Sequence, residues 1–183
     1  MSLPFEFLDK RPIVIVLAGS NGAGKSTFYE SFLADSGLRF VNADVLAESL
    51  SVNAYEAAAL ASSLRSALTA QRESFIFETV LSDPVGEKVD QFATYAALGY
   101  TVVLIFNQID SPDQSIKRVA MRVSQGGHDV PDEKLRARFE RTQANLKLAI
   151  ERLPYVIVYS NDDIAHPYKL IELYENGKNI SDS

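Results

Sequence analysis

Five stretches of the chain are apolar with little or no interruption: Ile13 to Leu17, Phe40-Val41, Phe75 to Phe77, Tyr100 to Phe106 and Tyr155 to Tyr159. Unbroken runs, rather than alternating ones, predict strands buried on both faces, as in a parallel sheet. Between the runs, hydrophobic positions recur at helical spacing. Phe28, Phe32 and Leu33 predict a short helix that Gly37 ends. Leu60, Leu64, Ala67 and Leu68 mark a long one in the Ala-rich segment after Asp44. Val85, Val89, Phe92 and Ala96 line another, with Asp83 as its N-cap, Pro84 as its first residue and Gly99 as its stop. Ser111-Pro112-Asp113-Gln114 reads as a capping box before Ile116, Val119, Ala120 and Val123. Gln125-Gly126-Gly127-His128 breaks that helix. Pro131, followed by Asp132 and Glu133, starts the next, with a stripe of Leu135, Phe139, Leu146, Ile150 and Leu153. The tail alternates from Tyr168 to Tyr174 and turns at Asn176-Gly177, which predicts a short edge hairpin.

Strand and helix alternate throughout, which predicts an α/β fold: a mostly parallel sheet covered on both faces by helices, as one domain over residues 1–183. Such sheets bind ligands beyond the carboxyl ends of their strands. That singles out Asp44, Glu78, Thr79, Asn107 and Asn161. A net charge of −6 argues against a nucleic-acid partner. The absence of cysteine excludes a disulfide framework and thiolate metal sites, and fits a reducing compartment. The longest apolar run near the N-terminus, about six residues, is too short for a membrane span or a signal segment. The expected location is the cytoplasm, with no membrane contact.

The chemistry starts at the end of the first strand. Gly19-Ser20-Asn21-Gly22-Ala23-Gly24-Lys25-Ser26-Thr27 matches G-x-x-x-x-G-K-[ST] at every fixed position, after a strand and before a helix. Its backbone N–H groups suit phosphate oxygens, and the following helix adds its positive end. Lys25 reaches the outer phosphates of ATP, and the Ser26 hydroxyl is placed for Mg²⁺. The Lys25 side chain is expected to be solvated without ligand. A GTPase is disfavoured. Asp83 to Gly86 and Asn107 to Asp110 resemble its motifs, but only one helix separates them and the guanine-reading lysine is missing.

A kinase of a small hydroxyl acceptor needs a base, cations around the transferred group and a closing segment. Asp44 suits the base, although it also reads as a helix cap. Arg118 and Arg122 lie four apart on one helix face, as phosphate-binding cations or as a solvated basic face. At about 100° per residue, Arg138, Arg141 and Asn145 form a polar strip bordering the last apolar stripe, with Arg136 on the opposite border. Residues 125–131, with two glycines, form a candidate lid, and His128 at its tip is either a phosphate contact or a surface histidine.

Together these residues resemble the zeta-toxin family of kinases, in its short single-domain branch. The matching pieces are Ala18 to Thr27, Asn42-Ala43-Asp44, Phe77-Glu78-Thr79, and the block from Arg118-Val119 and Arg122-Val123 through Gly126-Gly127-His128 and Pro131 to Arg138, Arg141 and Asn145-Leu146. The resemblance implies a P-loop kinase fold with strand order 2-3-1-4-5. It implies ATP/Mg²⁺-dependent phosphorylation of a UDP-activated amino sugar such as UDP-N-acetylglucosamine, and an antitoxin protein as partner. It makes Asp44 the general base, Asn42, Glu78 and Thr79 acceptor contacts, and Arg118 or Arg122 a phosphate-binding arginine. Longer members carry a lid arginine where His128 stands here. Two alternatives stay open: an ATP-binding regulatory module without a sugar acceptor, and a nucleotide, nucleoside or polynucleotide-end kinase.

Overall fold

The computed structural model describes residues 5–127 and 129–181. Every residue of β1 (Ile13–Gly19) is buried, because the strand is central and has a neighbour on each side. It pairs in parallel with β3 (Phe75–Thr79) and with β4 (Thr101–Gln108). β2 (Arg39–Val41) adds outside β3, and β5 (Tyr155–Ser160) outside β4, both parallel. The five strands have the expected order 2-3-1-4-5. The hairpin continues the same sheet: β6 (Lys169–Glu175) runs antiparallel to β5 and β7 (Lys178–Asn179) to β6, giving seven strands. Its turn has positive φ at both Asn176 (48°) and Gly177 (78°), the conformation that suits the strand twist.

Because side chains alternate across the sheet, β1 feeds two cores. Val14, Val16 and Ala18 pack under α3 (Ala54–Ala70), α4 (Glu87–Ala97) and α6 (Asp132–Arg152). Ile13, Ile15 and Leu17 pack against Phe28, Leu33, Tyr159 and Leu173. Phe28 ends the short α1 (Lys25–Phe28), which passes into a π-helical turn at Tyr29–Leu33 and a 3₁₀ turn at Ala34–Ser36, closed by Gly37 at φ 71°.

Several local expectations shift. The Ala-rich segment forms two helices, α2 (Ala43–Leu50) and α3, broken at Ser51 (φ 53°) and restarted by a capping box between Asn53 and Glu56. α3 buries Ala57, Ala61 and Leu68, leaving Leu60 and Leu64 exposed, since small residues let the helix lie close to the sheet. Asp83-Pro84 does not open α4. The helix starts at Glu87 after Gly86 (φ 78°), and Val85 is 71% exposed. The cause is α6: Asn145 Nδ2 donates to the carbonyls of Leu81 and Asp83 and holds this segment as a loop. α5 (Pro112–Ser124) is capped by Ser111 Oγ as expected, but the Gln114 side chain accepts from Asp110 N, one residue earlier than a capping box requires. Val119 is buried on the predicted face of α5, whereas Ala120 is exposed.

Candidate active site

The glycine loop connects the end of β1 to the start of α1. Four successive carbonyls of this loop are held from outside by side chains of other elements. Ser115 Oγ donates to Asn21 O (2.7 Å), Arg118 Nη1 to Gly22 O (3.3 Å), Asn161 Nδ2 to Ala23 O (2.9 Å) and Tyr168 OH to Gly24 O (2.9 Å). In a trans peptide the carbonyl and the next N–H point in opposite directions. Carbonyls tied outward therefore leave the N–H groups of Gly22, Gly24 and Lys25 on the other side, forming an anion-binding concavity. Gly24 has φ 81°, and a Cβ there would lie 2.5 Å from Asn161 Nδ2 and 2.7 Å from Tyr168 OH, so the tethers themselves require glycine. Ser20 Oγ and Asn21 Oδ1 are buried with no hydrogen-bond partner among the described residues, as is the side chain of Asn107 at the end of β4. Of these loop atoms the Ser20 hydroxyl can donate to a phosphate oxygen.

Lys25 is not solvated. It is only 6% exposed, and Nζ donates to Gly19 O and Ser20 O, both at 3.1 Å. The loop carbonyls on its own side take the ammonium group. Burial lowers its pKa below the usual lysine value. Glu78 opposes the shift, nearby Arg122 adds to it, and Asp44 opposes it more weakly.

At the tip of β3, Glu78 gathers three donors. Its Oε2 accepts from Ser26 Oγ (3.0 Å) and Asn42 Nδ2 (3.1 Å), and its Oε1 lies 3.8 Å from Lys25 Nζ. Ser26 and Glu78 are hard oxygen donors one hydrogen bond apart beside the loop, and they fit Mg²⁺, which takes few protein ligands and the rest from phosphates and water. Asn42, not Asp44, caps α2: its Oδ1 accepts from Asp44 N (2.8 Å) and Val45 N (3.4 Å). The Asp44 carboxylate is thus spared the capping role.

Beyond Glu78 opens a cavity of about 410 Å³, lined among others by Asn42, Asp44, Glu78, Thr79 and Arg138. Its wall also carries two cations that the sequence patterns did not single out, Arg65 and Lys88. Lys88 Nζ donates to Thr79 Oγ1 (2.9 Å). The strip on α6 divides its work. Arg138 opens into the cavity, whereas Arg141 Nε donates to Ser82 O (2.8 Å) and Asn145 holds the same loop. Arg118 turns to backbone, donating to Asn161 O (2.6 Å) as well as Gly22 O. Arg122 lies close enough to Lys25 to depress its proton affinity. Arg136 is exposed and paired with Asp113 at 2.6 Å. His128 lies outside the described residues. The segment around it joins α5 to α6, with Gly126 at φ 93°.

A tethered glycine loop on the central strand of a 2-3-1-4-5 sheet defines a P-loop nucleotide-binding protein of the kinase fold. Residues 14–148 match the family model described as an AAA domain, and the chain belongs to that family. No curated protein matches it. Among solved structures, it is similar to a chain of the AvrRxo1-ORF1:AvrRxo1-ORF2 complex with sulphate ions (TM-score 0.74, 17% identity, 95% of this chain and 62% of that one). It therefore spans less than two thirds of that protein. It is also similar to a chain of the PezAT chromosomal toxin–antitoxin system of Streptococcus pneumoniae (0.64, 18%, 90% and 72%). A gluconokinase from Sinorhizobium meliloti is a further neighbour (0.55, 19%, 86% and 86%). At these identities the likeness is one of fold. No helix among the described residues is long and apolar enough to cross a membrane.

Proposed function

We propose that the protein is an ATP- and Mg²⁺-dependent kinase of a small hydroxyl acceptor, of zeta-toxin type, with a UDP-activated amino sugar as the first acceptor to test. The observation that carries the reading is the cavity that adjoins the Lys25–Glu78 corner of the phosphate loop, with Asp44 in its wall. A plain ATPase needs no second cavity there. The similarity to toxin–antitoxin and gluconokinase folds supports a phosphotransferase, and the former supports an antitoxin-like protein partner.

In this reading the loop N–H groups bind the triphosphate, and Lys25 leaves the carbonyls of Gly19 and Ser20 for the outer phosphates. Ser26 and Glu78 hold Mg²⁺, which supplies charge neutralisation. Asp44 takes the proton of the acceptor hydroxyl as the oxygen bonds to the γ-phosphorus and the bond to the β-phosphate oxygen breaks. Arg122 and His128 steady the transferred group, and Asn42 and Thr79 orient the acceptor. Arg118 keeps the loop in shape, and Arg141 keeps the 80–83 loop in place. The test is ADP release with and without a panel of UDP-sugars and other polyols. Stimulation by an acceptor, abolished in Lys25→Ala, is the expected result. Hydrolysis unchanged across the panel would favour a regulatory ATP-binding module.

A further inference from the structure

Arg65, Lys88 and Arg138 come from three different helices, α3, α4 and α6, and line one cavity. Among the described residues, neither Arg65 nor Arg138 is in a salt bridge. The Arg65 guanidinium sits over the Phe77 ring, with Cζ 5.0 Å from its centroid, a cation–π contact that leaves its N–H groups for a ligand. Lys88 is anchored by Thr79 Oγ1, which leaves two of its three protons available. Like charges gathered in a concave, partly buried site repel one another, which an anionic ligand would relieve. Burial lowers the Lys88 pKa, Asp83 opposes the shift, and Arg65 and Arg138, both near enough to act on it, add to the lowering. The cavity's carboxylates, Asp44 and Glu78, belong to its phosphate-loop end, where Glu78 is engaged by Ser26 and Asn42.

We infer that the acceptor carries an oxyanion, a carboxylate or a phosphate group such as the diphosphate of a UDP-sugar, which Arg65, Lys88 and Arg138 hold while its hydroxyl faces Asp44. That the bound anion is the acceptor rests on the kinase reading; the anion subsite itself stands on the three cations. It narrows the acceptor to hydroxy acids, phosphorylated polyols and sugar diphosphates, and sets neutral polyols aside. The three cations act as a selectivity device, because a neutral analogue leaves them unpaired in a partly dry site.

Orthophosphate and acetate serve as probes, titrated calorimetrically into protein saturated with Mg²⁺ and a non-hydrolysable ATP analogue, so that the phosphate loop is filled. One of the two should bind, and the preferred one tells phosphate from carboxylate. Arg65→Gln, Lys88→Gln and Arg138→Gln should each weaken it about tenfold or more, the loss of one charge-assisted hydrogen bond. Affinity for the ATP analogue should stay that of the unmodified protein, and Lys88→Arg should restore anion binding. Binding of neither probe, or equal binding in all three Gln variants, overturns the inference. Turnover of neutral polyols with KM unchanged in those variants overturns it too, and leaves the kinase reading standing. Anion binding lost in the variants, with no acceptor of any kind turned over, would keep the subsite and sink the kinase.

Discussion

Removing single oxygens from the tethers of the phosphate loop separates two roles they can have. Tyr168→Phe deletes the hydroxyl that donates to Gly24 O, and keeps the ring packed edge-on to Phe28 and Phe32. Ser115→Ala deletes the hydroxyl that donates to Asn21 O, at a site only 1% exposed. Gly24 O retains its bond from Phe28 N, and the Tyr168 hydroxyl also meets the side chains of Thr27 and Asn161, so the loss in Tyr168→Phe is at least that of one ordinary hydrogen bond, about 1 kcal/mol. If the tethers hold the loop in its binding conformation, that energy is lost from ligand affinity, about fivefold in Kd for each variant. The two bonds act on opposite ends of the loop, so the double variant should lose about thirtyfold if they are independent. The assay is calorimetric titration with a non-hydrolysable ATP analogue, beside thermal melting without nucleotide. The expected outcome is weaker binding with Tm nearly unchanged. A lower Tm with unchanged Kd would refute the reasoning, because the tethers would then serve only the fold.

Asp44→Asn should bind ATP normally yet transfer phosphate about a hundredfold or more slowly, the usual loss for a positioned base; normal single-turnover rates would rule Asp44 out as the base. Lys25 gives a pH signature. Its pKa is lowered in the folded chain, so the unfolded chain binds more protons between that lowered value and the ordinary one, and stability rises with pH across this window. Against Lys25→Met, the unmodified, ligand-free protein should therefore gain in Tm as the pH climbs toward the ordinary lysine range. Melting curves that stay parallel would contradict the burial of the charge. Arg141→Ala should lower stability by about 1–3 kcal/mol by leaving Ser82 O without its donor. Arg136→Ala, which breaks only an exposed pair, should change it by less than about 1 kcal/mol in the same denaturant titration.

The parallel sheet was legible because burial on both faces leaves a local mark: Ile13 to Leu17 has no polar residue to misread. The phosphate loop was legible for a similar reason, since its chemistry is carried by contiguous residues. What acts on the loop from a distance was not. Asn161 stands out as a strand end, but nothing near it in sequence says that its amide reaches Ala23 O. Arg65 does leave a mark in the sequence. It sits between Ala61 and Leu68 on the buried face of α3, a charge inside an apolar stripe, hidden because Leu60 and Leu64 suggested a different face. Lys88 stands four residues before the buried Phe92 and so borders the stripe of α4. The start of α4 could not be placed from Asp83-Pro84, because Asn145, some 60 residues later, decides it.

The tethers also set an order of assembly. The loop spans residues 19–27, yet the groups that shape it stand 94, 96, 138 and 144 residues further on. Contacts of such long range form late, after the intervening chain has lost its freedom. During synthesis the glycine loop emerges early and waits, loosely structured, until β5 and the start of β6 have docked. A chain that lacks β5 and the start of β6 should therefore bind nucleotide weakly, and full affinity should arrive only once Asn161 and Tyr168 are in place. Ligand binding then reports completed folding: in refolding from denaturant, analogue binding should appear with the slowest structural phase and never ahead of it.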